Sequence, residues 1–290
     1  MRLLIGAVFF LLALTGAIMT FFDFRDLALR IINSKLALRN TGIIRDQAFG
    51  PEPWQRLDIY TRADAGGSRP VIVFFYGGRW TEGAKELYPF VGAAFAKRGF
   101  LTVIPDYRKY PSVRFPAFVE DGAKALAWVH DHIADYGGDP KRIFVSGHSA
   151  GAHIGALLAA NPAYLEREGK IGSEVIRGFA GLAGPYSFTP DEPDLQDIFG
   201  PPDRYPSMQV TTFIDGSQPP MLLLYGDADT AVKRYNLDRL ALRIKEKGGS
   251  VRTIVYPGVD HLWILGALSW VNFRGPPVLD DITAFFGAVK

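Results

Sequence analysis

Val71-Ile72-Val73-Phe74-Phe75 is a run of five apolar residues with no polar interruption. Such a run reads as a strand buried on both faces of a sheet. It is one of a series. Strands are predicted at Arg56–Tyr60, Val71–Tyr76, Leu101–Pro105, Ile143–Ser146, Ile176–Leu182, Met221–Tyr225 and Val251–Tyr256. Helical patterns fall between or after them, at Leu87–Lys97, Ala117–His132, Ala150–Ala160, Tyr235–Glu246 and Leu279–Ala288, with Gly99 and Gly248 placed to end two of the helices. Strand–helix alternation of this kind predicts an α/β fold built on a mostly parallel, doubly wound sheet with helices on both faces. Pro185 to Pro220, rich in Pro, Asp and Gly, breaks the rhythm and is expected to form a small cap excursion over the end of the sheet where active-site loops gather.

Composition narrows the function classes. The 32 basic and 30 acidic residues leave a net charge of +2, which provides no electrostatic footing for nucleic acid. There is no cysteine, so a disulfide framework, a thiolate-ligated metal and a cysteine nucleophile are all excluded.

The strongest chemical signal is Gly147-His148-Ser149-Ala150-Gly151, a G-x-S-x-G pattern between the predicted strand ending at Ser146 and the helical run from Ala150. A strained strand-to-helix turn holds a serine oxygen proud of the sheet, the glycines remove side chains that would collide, and the helix N-terminus offers amides where negative charge develops. The pattern alone arises by accident in a chain this rich in glycine, so the strand–turn–helix context carries the weight.

Such an elbow is followed in the chain by an acid and then a histidine. Of the five histidines only His261 lies well beyond Ser149, just after the predicted strand Val251–Tyr256. It is the candidate general base. The acid should follow Met221–Tyr225, where Asp227 and Asp229 compete; Asp229 is the preferred candidate and Asp227 the one expected to make turn hydrogen bonds. His148 and His153 are expected to pack or bond locally, and His130 and His132, two apart on a helix, do not face each other as a metal pair would. No metal constellation is expected. After Val71–Phe75 comes Tyr76-Gly77-Gly78-Arg79-Trp80, a glycine-rich turn suited to aiming backbone N–H groups at an oxyanion. Asp106 and Arg108 are expected to join an ion-pair or hydrogen-bond network that holds the loop after Leu101–Pro105.

On these motifs, together with Pro105-Asp106-Tyr107-Arg108, Phe115-Pro116, Gly137-Gly138-Asp139-Pro140 and Gly184-Pro185-Tyr186, the chain resembles the carboxylesterase branch of the α/β-hydrolases that carries an H-G-G-x-W loop. That branch includes kynurenine-formamidase-like enzymes and isoprenylcysteine methylesterases, and the resemblance covers most of residues 43–290. It implies the α/β-hydrolase fold with an eight-stranded sheet, a Ser149–His261–Asp229 acyl-enzyme mechanism, no cofactor, and Gly78, Arg79 and Ala150 as the oxyanion donors. It also implies a small-molecule ester, with a hint that the ester is lipophilic. The departure is Tyr76, which stands where the family has histidine, so the loop must be braced differently here. Trp80, Tyr186 and Trp263 are candidates to line the pocket, with core packing an equal account of each. Three rival functions remain: an amidase acting on activated amides such as an aryl formamide; a catalytically dead, membrane-anchored binding protein; and a peptidase, disfavoured without a large additional domain to gate peptides.

The N-terminus reads as a separate object. Leu3 to Phe22 carries no charged residue and, as a helix, would be roughly 30 Å long, about the thickness of a bilayer's hydrocarbon core. Residues 1–22 are therefore expected to form a transmembrane anchor, or else a cleaved signal that would make the domain secreted or periplasmic. Arg25, Arg30, Lys35 and Arg39 follow the segment, favouring a cytoplasmic domain by the positive-inside rule, whereas a secretory signal would place it outside; the side stays open. Residues 23–42 are expected to form a juxtamembrane helix or linker, and residues 43–290 the catalytic domain.

Overall fold

The structure, a computed structural model, describes residues 32–34, 38–63, 66–272 and 275–289. The expected anchor or signal at 1–22 and most of the juxtamembrane stretch lie outside these residues. Among the described residues no helix is long and apolar enough to cross a membrane.

Among the same residues eight strands form one sheet: β1 (Thr41–Ala48), β2 (Arg56–Arg62), β3 (Arg69–Phe75), β4 (Leu101–Pro105), β5 (Gly138–His148), β6 (Ile176–Leu182), β7 (Met221–Gly226) and β8 (Val251–Tyr256). Their spatial order is β1-β2-β4-β3-β5-β6-β7-β8. The first two pairings, β1 with β2 and β2 with β4, are antiparallel, and β4 through β8 run parallel. The expected α/β-hydrolase architecture is the one observed.

The seven strands enumerated from the sequence are all present. The eighth, β1, escaped that enumeration because Thr41–Ala48 is an edge strand, half-exposed, whose register with β2 shifts between Ile44 and Gln47. A bulged edge presents neither a continuous apolar run nor a clean alternation. Val71 to Phe75 in β3 is fully buried, as its composition requires; each such side chain contributes about 1.5–3 kcal/mol relative to exposure.

Helices α1 (Pro89–Lys97), α2 (Ala117–His132), α3 (Ala150–Ala160), α4 (Pro193–Phe199), α5 (Tyr235–Glu246) and α6 (Val278–Ala288) complete the layers. The sequence placed the start of α1 at Leu87, but Lys85–Leu87 is a separate 3₁₀ turn and Pro89 opens the helix, where a missing N–H costs nothing. Adjacent residues of β5 show the two faces. Phe144 stacks on Phe286 of α6 at 4.5 Å between centroids, while Val145 lies under Gly155 of α3 on the other side. The excursion from Pro185 to Pro220 contains α4 and several short turns.

This topology gathers the chemistry. The loops after β3, β5, β7 and β8 leave parallel neighbouring strands, so they emerge at one edge of the sheet, where α/β proteins hold their ligands.

Candidate active site

Ser149 sits between the last residue of β5 and the first of α3, with φ 53° and ψ −123°. That is a sparsely populated conformation for a residue with a side chain, costing on the order of 1–3 kcal/mol. The surrounding packing enforces it. A Cβ on Gly151 would lie 2.1 Å from the carbonyl oxygen of Phe75, and one on Gly147 would lie 2.6 Å from the backbone of Gly151. The two motif glycines therefore let α3 press against the end of β3 with the serine at the apex.

His261, on the loop after β8, places Nε2 2.9 Å from Ser149 Oγ. Its Nδ1 lies 2.7 Å from Asp229 Oδ2. The Asp229 side chain is fully buried, and its other oxygen accepts hydrogen bonds from the N–H groups of Ala231 at 2.8 Å and Val232 at 2.9 Å. Burial works to raise the Asp229 pKa, but the hydrogen bond from His261, that imidazole's charge and the two backbone N–H groups outweigh it, holding the carboxyl below its ordinary value. The competing Asp227 takes the other position: its Oδ1 accepts from Gly258 N at 2.6 Å, tying the β7 loop to the β8 loop. Asp260 accepts from Leu262 N and Trp263 N at 3.0 and 2.7 Å, capping the short helical turn Trp263–Gly266.

The glycine-rich turn lies against the elbow. A Cβ on Gly77 would fall 3.1 Å from Ser149 Cβ. Gly78, Arg79 and Trp80 follow with positive φ of 133°, 52° and 60°. Ala150 is the first residue of α3, so its N–H has no acceptor within the helix and points where the helix dipole favours negative charge.

Tyr76, standing where related loops have histidine, is fully buried, its ring stacked between Tyr107 at 4.7 Å and Tyr88 at 5.2 Å. Its hydroxyl donates to Asp106 Oδ1 at 2.7 Å and accepts from Lys109 Nζ at 3.0 Å. Tyr107 returns a hydrogen bond to the Tyr76 carbonyl at 2.8 Å, and Asp106 Oδ1 also accepts from Lys85 N at 3.1 Å. Burial raises the pKa of Tyr76 and of Asp106 and lowers that of Lys109. Asp106 and Arg108 do join networks that hold this loop, but separate ones: Arg108 forms a fork on the buried carboxylate of Asp121.

Two histidines have partners far off in sequence, contrary to the expectation of local bonds. His148 Nε2 lies 2.8 Å from the carbonyl of His261, and His153 Nε2 lies 2.8 Å from the carbonyl of Met208 in the cap segment. Burial drives the His148 pKa down to about 3 and that of His153 to about 4, so both rings are neutral, with Nε2–H as donor. Neither partnership leaves a trace in local sequence.

Ser149, His261 and the Gly77–Trp80 turn open on a cleft of about 560 Å³ whose apolar lining includes Trp80, Phe188, Leu195, Leu262 and Leu265. Of the three aromatic residues expected there, only Trp80 lines it. Tyr186 is buried against Phe179, Gly181 and Gly184, and Trp263 is 41% exposed outside the cleft. Two further hollows near Arg177 and Val289 carry none of these groups. Among the described residues there is no cluster of three or more His, Asp or Glu suited to a metal ion.

A family model described as BD-FAE matches residues 57–177. The chain is 28% identical over 246 residues to a probable isoprenylcysteine alpha-carbonyl methylesterase, ICMEL1, of Oryza sativa subsp. japonica, an alignment covering 76% of this chain and 57% of that protein. It is 28% identical over 268 residues to esterase LipQ of Mycobacterium tuberculosis, covering 84% of this chain and 62% of that one. It thus spans roughly half to three-fifths of the length of such curated relatives. Among solved structures, esterase B from Lactobacillus rhamnosis superposes with a TM-score of 0.78 at 18% identity, covering 96% of this chain and 94% of that one. A truncated carbohydrate esterase from gut microbiota does so with a TM-score of 0.74 at 20% identity, covering 85% and 95%. By strand order and by these structural neighbours the chain has the α/β-hydrolase fold, and in sequence it is similar to proteins named as esterases and methylesterases.

Proposed function

We propose that the chain is a serine hydrolase that cleaves carboxylic esters through an acyl-enzyme. The observation that carries this reading is the unbroken hydrogen-bonded line Asp229–His261–Ser149, at 2.7 and 2.9 Å, opening on a cleft lined by both apolar and polar side chains. In the reaction Ser149 Oγ attacks the ester carbonyl while His261 Nε2 takes its proton. Charge gathers on the former carbonyl oxygen, facing the N–H groups of Gly78, Arg79 and Ala150. As the tetrahedral species collapses, His261 returns the proton to the departing alkoxide, and water then repeats the sequence on the acyl-enzyme. Asp229 holds Nδ1–H and stabilises the imidazolium without being protonated itself.

The apolar part of the lining, Trp80, Phe188, Leu195, Leu262 and Leu265, offers a place for a lipophilic portion of the ester, in keeping with relatives named esterase and isoprenylcysteine alpha-carbonyl methylesterase, while Arg79, Glu192 and Lys233 leave another part of the cleft polar. A membrane association through residues 1–22 would bring such a substrate within reach.

The test is a fluorophosphonate probe together with p-nitrophenyl esters from C2 to C12 and matched aryl formamides, with Ser149→Ala as control. Labelling and ester turnover that both vanish in the variant are expected. A formamide rate far above the ester rate would replace the ester with an activated amide, and a folded chain that neither labels nor turns over would overturn the reading.

A further inference from the structure

The catalytic scheme uses only the backbone of Arg79, yet its side chain is tied down. Arg79 Nε and Nη2 lie 3.1 and 3.0 Å from the two carboxylate oxygens of Asp194, and Nη2 also lies 2.6 Å from Glu192 Oε2. Both acids belong to the cap segment, Asp194 in α4 and Glu192 just before it. The next residue, Trp80, is anchored in the same place. Its ring stacks on Phe188 at 5.8 Å and meets the edge of Phe199 at 4.8 Å, and both partners lie in the cap segment. These are the two non-glycine residues that the turn holds at positive φ, a conformation that persists only when its surroundings over-determine it.

We infer that the cap segment sets the oxyanion site: Glu192 and Asp194 are positioning residues that, through the Arg79 side chain, hold the loop whose N–H groups face the developing charge. The inference rests on the ester-hydrolase reading above and assigns to the cap a role beyond covering substrate. The cap is in turn fixed to the body. Asp197 of α4 receives Arg114 at 2.8 Å and the Tyr110 hydroxyl at 2.9 Å, and the Ile198 carbonyl accepts from Phe115 N at 2.9 Å. A displacement of α4 therefore reaches the Arg79 amide through a short chain of directed contacts.

A donor that moves with its loop is felt in the transition state more than in substrate binding. The double variant Glu192→Gln/Asp194→Asn keeps both side-chain sizes at exposed positions. Its kcat is expected to fall about tenfold, less than the 10²–10³ typical of deleting a donor, with KM within about twofold of wild type. Its affinity for a trifluoromethyl ketone, whose adduct with Ser149 bears an oxyanion, should fall in parallel. Wild-type kcat should also decline as ionic strength rises from about 20 mM to about 1 M, because the three charges are exposed, while the double variant stays flat.

A folded double variant with kcat within about twofold of wild type overturns the inference. If the variant does not fold, a wild-type kcat indifferent to salt overturns it. A wild-type chain that neither labels with fluorophosphonate nor hydrolyses any ester overturns the catalytic reading itself, and this inference with it, so the two failures are told apart.

Discussion

His148 Nε2–H donates to the backbone carbonyl of His261 across 2.8 Å, so the residue that precedes the nucleophile also fixes the loop carrying its base. Gly77 lies against the same ring, with a hypothetical Cβ 2.9 Å from Nδ1, which seats the oxyanion turn on it as well. His148→Ala removes the donor and leaves the His261 carbonyl unpartnered, at a cost of about 1–3 kcal/mol in stability. The loop is then free to shift, so kcat should drop by about tenfold or more with a smaller change in KM. Steady-state kinetics and urea unfolding on the same preparation check both halves. An unchanged kcat would show that His261 is held by other means.

Asp229 and Asp227 stand two residues apart and do different things. Asp229→Asn keeps the shape but presents an amide to Nδ1, inviting the wrong imidazole tautomer. A loss of about 10⁴-fold in kcat is expected, with little change in fold. Asp227→Asn weakens only the link to Gly258 N, so its kcat should stay within about tenfold of wild type while the melting temperature falls slightly. Measured side by side, these two variants decide which aspartate serves the base; a reversal of the two magnitudes would reassign it.

What the sequence could and could not convey follows from where each interaction lies. The buried parallel strands were legible because burial on both faces demands apolar runs, and Val71–Phe75 obeys. The elbow was legible because its glycines answer contacts within a few residues or with one adjacent strand. Ser149, His261 and Asp229, separated by up to 112 positions, could be paired only because strand order fixes which loops share an edge. The His148–His261 and His153–Met208 bonds had no such guide. Nor did the pairing of Arg108 with Asp121, which depends on where α2 lies against the β4 loop. The N-terminal expectations rest on composition alone.

The Tyr76 hydroxyl ties the strand end before the glycine-rich turn to Asp106 and Lys109 of the loop after β4. Tyr76→Phe deletes the bond to Asp106 and the acceptor for Lys109 while keeping the stack with Tyr88 and Tyr107. Two half-buried polar groups lose one partner each and keep another, so stability should fall by about 0.5–1.5 kcal/mol. Because Tyr76 abuts the Gly77-Gly78 turn, kcat should fall more than KM rises. Thermal unfolding and kinetics of the variant test this; a kcat loss without any stability loss would mean that the hydroxyl acts on the turn rather than on the scaffold beneath it.

The two buried histidines also fix the sign of the pH response. Folding depresses His148 to about 3 and His153 to about 4 from an ordinary value of 6.5, burial being the leading cause for both. Between those limits the unfolded chain binds protons that the folded chain refuses, so stability rises with pH there. Their contribution is fully present above about 6.5 and is lost progressively as pH falls toward 4 and then 3. Asp229, held below its ordinary carboxylate value, adds a loss of the same sign at more acid pH. Near pH 5, unfolding should therefore take up about two protons at these histidines, visible as a steep fall in the urea midpoint from pH 6.5 downward. His153→Gln should flatten that slope by about one proton. An urea midpoint as steep in the variant as in the wild-type chain would mean that His153 is not buried in its neutral form.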